Sequence, residues 1–189
     1  MYYPEAFTNH SHEHFSPSLR ILLLRIMREK RPGEAEKAEE AAFRLLARRD
    51  HSREEIRRKL KVRGFSPEEI EKALKWLETR GILDDLRYAQ KLAFSLTKEK
   101  LFGPQRISQK LLQKGIPAEL AQEAMEKADE TLAAGERLRR ALRMKLKGRS
   151  LDQIFPSERR KLANYLRQRG FLWEDIWEAF QETGGFTEE

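Results

Sequence analysis

A glycine with the same neighbours recurs three times in this chain, and that recurrence limits the possible folds more than any other feature. Arg63-Gly64-Phe65, Lys114-Gly115-Ile116 and Arg169-Gly170-Phe171 each join a basic residue, a glycine and a large apolar residue. Nine and ten positions after each glycine come Ala73-Leu74, Ala124-Met125 and Ala179-Phe180. Eight positions before it stand Ile56, Ile107 and Leu162, and four before it Leu60, Leu111 and Leu166. The glycines are 51 and 55 residues apart. Self-similarity at such a period is the mark of a stacked array whose units share one plan.

Each unit reads as a helix, a glycine stop and a second helix. Apolar residues four apart, such as Ile56 and Leu60, share a helical face. Gly64, Gly115 and Gly170 follow the last apolar residue as left-handed C′ stops, and the Arg or Lys before each suits the negative helix end. In the first unit Ser66 is the expected N-cap, Pro67 the first helical residue and Glu69 the partner in a capping box; Ser52 and Glu55 form the same pattern one helix earlier. Ile70, Ala73, Leu74 and Leu77 continue the buried stripe, and Trp173, Ile176, Trp177 and Phe180 repeat it in the last unit.

A third helix precedes each pair. It is marked by Ala38, Ala42, Leu45 and Leu46, then by Ala89, Leu92, Ala93 and Leu96, then by Leu138, Ala141, Leu142 and Leu146. No segment alternates apolar and polar residues with β-branched character, so no sheet is expected. The expected fold is all-α: three tandem three-helix repeats forming an elongated curved array. The expected boundaries are an N-terminal extension at 1–33, repeats at 34–81, 82–133 and 134–183, and an acidic tail at 184–189. Units of this size sit near the lower limit for independent folding, so they are expected to lean on one another.

Composition narrows the function. Of 189 residues, 37% are charged and 39% apolar, which suits exposed helices and argues against wholesale disorder. There is no cysteine, which excludes disulfides and thiolate chemistry and fits a reducing cytoplasm. No apolar run approaches the roughly 18 residues that span a bilayer. The net charge of +7 is uneven: residues 137–169 hold 12 Lys or Arg against 2 acids, and 170–189 hold 6 acids and no base. A basic stripe favours a polyanion or an acidic protein surface.

At the N-terminus, 1–17 has no helical period, and 18–31 mixes an apolar block (Leu19, Ile21 to Leu24, Ile26, Met27) with arginines and Lys30. The order of basic and apolar residues does not fit a signal peptide. A short helix on the first bundle, a membrane-surface helix and a true start at Met27 all stay open.

No arrangement of residues announces catalysis. His12-Glu13-His14 lies in the irregular tail, where adjacent ligands seldom build a metal site. The glycines are isolated at helix ends rather than grouped in a phosphate loop. Asp84-Asp85 follows Gly81-Ile82-Leu83, where an aspartate ordinarily caps the next helix. Trp76, Trp173 and Trp177 could stack on bases, but all three fall on or beside apolar stripes and are expected in the core. No cofactor, metal or catalytic residue is expected.

From about Ala38 to Met125 the chain resembles the RecX family of recombination regulators. The resemblance rests on Ala42-Phe43-Arg44-Leu45-Leu46-Ala47-Arg48-Arg49 with Ser52, and on Gly81-Ile82-Leu83-Asp84-Asp85 with Tyr88-Ala89. It continues in Gly103-Pro104-Gln105-Arg106-Ile107 with Leu111, Lys114, Gly115 and Ile116. The third repeat is similar to the family's more divergent C-terminal unit. This resemblance implies a non-catalytic, monomeric bacterial protein that binds RecA recombinase and the RecA–DNA filament. Such a protein suppresses RecA's ATPase, strand-exchange and coprotease activities, within DNA repair, recombination and the SOS response, and binds DNA itself only weakly. Candidate contacts on the matching block are Arg106, Lys110 and Lys114. In the third repeat they are Arg139, Arg140, Arg143, Lys147, Arg159, Arg160 and Lys161.

A competing reading is a direct DNA binder, because two helices joined through Arg63-Gly64-Phe65-Ser66 look like a helix-turn-helix. There the reading helix would carry Glu68, Glu69 and Glu71, which suit a phosphate-lined groove poorly.

Overall fold

The chain is described by a computed structural model over residues 34–182. The readings made for 1–33, including the three N-terminal histidines and Met27, and for the acidic tail at 184–189 lie outside the described residues. Among the described residues there are nine α-helices, one short 3₁₀ turn and no strand. In chain order they are α1 Glu34–Leu46, α2 Arg53–Val62, α3 Pro67–Thr79, α4 Asp85–Lys98, α5 Pro104–Gln113, α6 Ala118–Thr131, α7 Ala134–Leu146, α8 Pro156–Gln168 and α9 Trp173–Glu182. The 3₁₀ turn, Leu151–Gln153, lies between α7 and α8.

The three glycines of the repeat have φ of +88°, +77° and +88°. At each, the apolar residue that follows turns back. The N–H of Phe65 donates to the Leu60 carbonyl at 3.3 Å, that of Ile116 to Leu111 at 3.2 Å, and that of Phe171 to Leu166 at 3.3 Å. A bond of this span, closing around a left-handed residue, satisfies carbonyls that the helix end would otherwise leave bare. Gly81, φ +63°, ends α3 in the same way, with the Ile82 N–H on the Leu77 carbonyl at 3.0 Å.

By its internal contacts the chain divides into two compact units, Met1–His51 with Glu55–Leu83, and Ser52–Glu54 with Asp84–Glu189. In the first, α1 lies closest to α3. Ala38, Ala42 and Ala73 are fully buried in their shared core, together with Ile56, Leu60, Leu74 and Leu77. Side chains that small let helix axes approach closely. Ser66 caps α3 as the sequence suggests: its Oγ accepts the Glu69 N–H at 3.3 Å, and Glu69 Oε2 accepts the Ser66 N–H at 2.7 Å. Hydrogen bonding to the carboxyl from the Ser66 hydroxyl, and then from the Ser66 backbone N–H, holds Glu69 below its ordinary pKa.

The second unit holds two apolar clusters. One gathers Ala89, Ala93, Ile107, Leu111, Ala121, Ala124 and Ala128 from α4, α5 and α6, again with small residues where α4 meets α6. The other gathers Leu138, Leu142, Leu166, Phe171, Ile176 and Phe180 from α7, α8 and α9, and takes in Leu101 and Leu132 from the preceding segments. Asp84 is the N-cap of α4, its Oδ1 accepting the Arg87 N–H at 2.9 Å. Asp85 instead accepts the Arg53 N–H at 2.7 Å, so the two adjacent carboxylates both serve backbone donors.

The two clusters meet end to end. The Gly103 N–H, at the start of α5, donates to the Arg169 carbonyl at 2.8 Å, and the Gln105 N–H donates to the Gly170 carbonyl at 3.1 Å. Bare N–H groups of one helix start thus satisfy bare carbonyls of another helix end. The approach leaves no room for a β-carbon. One at Gly103 would collide with the Gly170 carbonyl, and one at Gly170 with the backbone of Arg106. Gly115 is bounded in the same way by the Glu54 side chain, whereas Gly64 faces open space.

Arg137 closes the same junction from inside. It is fully buried, and its Nη1 donates to Leu132 O at 2.9 Å, to Thr97 Oγ1 at 3.4 Å and to the Asp129 carboxylate. Its Nε has no hydrogen-bond partner.

Candidate interaction surface

The ten candidate cations fall on three helices. Arg106, Lys110 and Lys114 repeat every four residues along α5 and its end, so they share a helical face, and all three are partly buried. Arg106 donates through Nη1 to Gln109 Oε1 at 3.1 Å, and its backbone forms part of the α5–α8 junction. The Lys114 carbonyl accepts the Ser52 hydroxyl, which belongs to the same unit. The Gly-Pro-x-Arg-Ile block therefore has a structural role, because it starts α5 against the end of α8.

On α7, Arg139, Arg140 and Arg143 are exposed, as their place off the Leu138, Leu142, Leu146 stripe requires. They are not bare cations. Arg139 forks onto Glu182 of α9 at 3.1 and 3.2 Å. Arg140 and Arg143 share Glu136 Oε1 at 2.9 and 3.1 Å. Arg140 is the main cause that holds the Glu136 carboxyl below its usual pKa, and Glu182 raises that of Arg139. The basic half of this motif is thus partly neutralised by its own acids. Lys147 ends α7 in the left-handed region, φ +51°, directly before Gly148 at +85°.

On α8, Arg160 and Lys161 are exposed, and Arg159 is partly buried with its Nε on the Leu151 carbonyl at 3.1 Å. Arg159 and Arg160 flank a groove of about 320 Å³ between α8 and α9, whose apolar wall is Pro156, Ala163, Trp173, Ile176, Trp177 and Phe180. Here one expectation fails. Trp173 is 50% exposed and Trp177 half-buried, so the last stripe is not wholly core. The α9 helix is short, and Ile176, Ala179 and Phe180 already fill its inward face, which leaves Trp173 at the first position to point outward. Trp76 does pack against its core, with the Arg80 guanidinium 4.2 Å above its ring.

Two residues of the junction are not legible as such in the sequence. Arg137 looks there like one more member of a charge run; its one local signal is its place one residue before Leu138, beside the apolar stripe. Arg169 carries only the mark of a dipole partner. It also bonds the Leu101 carbonyl through Nε at 3.4 Å and lies over the rings of Phe102 and Tyr165, at 5.1 and 5.2 Å. Among the described residues no three His, Asp or Glu side chains gather as a metal site, and no helix is long and apolar enough to cross a membrane.

These features define a tandem helical-repeat protein whose charged side chains are displayed along helix surfaces. Residues 38–77 match the first three-helix domain of RecX, and residues 84–125 match the second. The regulatory protein RecX of Chlorobaculum tepidum is 38% identical over 146 residues, covering 77% of this chain and 88% of that protein. The RecX of Prosthecochloris aestuarii is 40% identical over 152 residues, covering 79% and 95%. The RecX of Escherichia coli is 39% identical over 150 residues, covering 74% and 87%. The crystal structure of RecX from Lactobacillus salivarius shares the fold, with a TM-score of 0.69 at 22% identity over 79% of this chain and 96% of that one. The chain belongs to the RecX family of regulatory proteins.

Proposed function

We propose that this protein is a non-catalytic cytoplasmic regulator that binds RecA recombinase and RecA–DNA filaments. It restrains their ATPase, strand-exchange and coprotease activities, within DNA repair, recombination and the SOS response. The observation that carries the reading is membership of a family of regulatory proteins over most of the chain. The physical support is the surface: cations arrayed on α5, α7 and α8 suit a long anionic or acidic partner better than a small ligand. The repeats at 34–81, 82–133 and 134–183 are the modules of that contact, and the protein acts as a monomer. Arg106, Lys110, Lys114, Arg139, Arg140, Arg143, Lys147, Arg159, Arg160 and Lys161 are its contact residues.

The test is RecA's DNA-dependent ATP hydrolysis, titrated with this protein. Hydrolysis should fall as the protein is added, and undiminished hydrolysis at stoichiometric amounts would sink the proposal. Bare duplex DNA separates the rival. A helix-turn-helix reader finds a preferred site, whereas a filament regulator binds DNA weakly and without sequence preference. The first turn of α3 weighs against the reader, because Glu68 and Glu69 head the helix that would enter the groove.

A further inference from the structure

The junction between the second and third repeats is not built like a continuous core. Among the described residues, every extensive helix–helix contact joins helices of the same triplet. The covalent link from α6 to α7 is only Leu132–Ala133. Each side contributes one residue to the other. Leu101, from the loop after α4, packs in the cluster of α7, α8 and α9, and does so at φ +49°, a left-handed conformation that is strained for leucine. Arg137 of α7 reaches the opposite way, to Thr97 of α4, Asp129 of α6 and the Leu132 carbonyl. The Arg137 side chain is 1% exposed and that of Asp129 41%, so the pair has a buried cation and a half-exposed anion. A cation buried this deeply depends on its anion, because a lone buried charge is far costlier than a paired one. Its Nε has no hydrogen-bond partner, so even the paired guanidinium is not fully satisfied.

We propose that the second and third repeats are joined by a hinge at Leu132–Ala133, and that the Arg137–Asp129 pair is the latch that holds it shut. Opening parts Arg137 from Thr97 and Asp129 and withdraws Leu101 from its cluster. It also frees the Gly103 and Gln105 N–H groups from the Arg169 and Gly170 carbonyls. Closure is favoured by the burial of Leu101, by these backbone bonds and by the ion pair. It is opposed by the left-handed backbone of Leu101 and by the unpartnered Nε, both of which opening relieves. The backbone groups exchange one set of hydrogen bonds for another with water, so their net effect is modest. The balance therefore turns on whether Arg137 is neutralised. Opening alters the span between Arg106 and Lys110 on α5 and Arg160 and Lys161 on α8. That consequence rests on the function proposed above; the hinge itself does not.

The test is a spin-label distance across the hinge in the full chain. The protein has no cysteine, so Glu123→Cys on α6 and Asn164→Cys on α8, both exposed, give a unique pair. In the labelled parent the distance distribution should be narrow. Asp129→Asn should broaden it, because Arg137 is then a buried charge without its anion and reaches water only by opening. Adding Arg137→Met removes that charge, so the narrow distribution should return. A loss of packing alone gives the opposite order, with the double variant the broader. Amide exchange on the unlabelled chain reads the same motion. Asp129→Asn should speed Gly103 and Gln105 together, by about tenfold or more, and leave Leu111 and Leu166 inside their helices unchanged. A parent-like distribution with unaltered exchange in Asp129→Asn overturns the proposal, and so does a double variant no narrower than Asp129→Asn. If Leu111 and Leu166 speed up equally, the substitution unfolds the repeats rather than parting them, and the hinge is wrong. None of these readouts involves RecA, so they bear on the hinge alone.

Discussion

His51 illustrates how one buried side chain sets a pH dependence. It is 4% exposed, and its Nδ1 lies 2.9 Å from the Arg49 carbonyl. A carbonyl only accepts, so Nδ1 carries a proton, which fixes the tautomer of the neutral ring. Burial is the largest influence and pushes His51 below its ordinary 6.5; the bond to Arg49 opposes this, and the nearby charges of Arg49 and Lys59 add to the lowering. Because the folded pKa is the lower one, the unfolded chain takes up the proton first. Stability is therefore full above about pH 6.5 and declines as pH falls through that value, at up to about 1.4 kcal/mol per pH unit. Melting temperatures between about pH 7.5 and 5.5 should fall more steeply for the parent than for His51→Gln, which has no imidazole to titrate. Parallel slopes would mean that the ring titrates in the fold as it does in the open chain.

At the level of elements, the repeated glycines were legible because their requirement is local. A helix end that turns left-handed needs a residue without a β-carbon, and the flanking pattern marks where. What the sequence does not display is that Gly170 and Gly115 are also crowded, because the crowding atoms come from Arg106 and Glu54, far away along the chain. Gly103 is the same case in reverse: its φ of −74° is open to any residue, and only the Gly170 carbonyl forbids a side chain. Substitution by alanine separates the two requirements. Gly64→Ala should lose about 1 kcal/mol from the left-handed conformation alone. Gly103→Ala should be destabilising through collision alone, and Gly170→Ala through both, by more than about 2 kcal/mol. Urea unfolding followed by Trp76 for the first variant and by Trp173 and Trp177 for the others reads the affected unit in each case. If Gly103→Ala unfolds like the parent, the helix ends are not locked together.

Across the whole molecule, the apolar pattern gave the helices and the three triplets, but it could not show how charge is spent. Charge runs carry no signal of pairing, since pairing depends on which helix lies opposite. The sequence places Arg139 on a basic stripe; the fold gives it a fork onto Glu182, 43 residues away. A simple reversal at this site therefore mixes two effects, lost attraction for a partner and repulsion from Glu182 within the fold. A charge swap separates them. Arg139→Glu alone should lower the melting temperature slightly, as the loss of an exposed pair does, and should weaken the proposed inhibition of RecA. Adding Glu182→Arg restores an ion pair and the net charge, so the melting curve should return towards the parent. If Arg139 contacts the filament from its own position, inhibition should not return, and the inhibitory concentration should stay raised by roughly fivefold, the scale of one lost surface contact. Inhibition by the parent should also weaken as salt rises, because the pair and its neighbours are exposed to screening. Full recovery of inhibition by the swap would show that Arg139 serves only to tie α7 to α9, and would move the contact surface to α5 and α8.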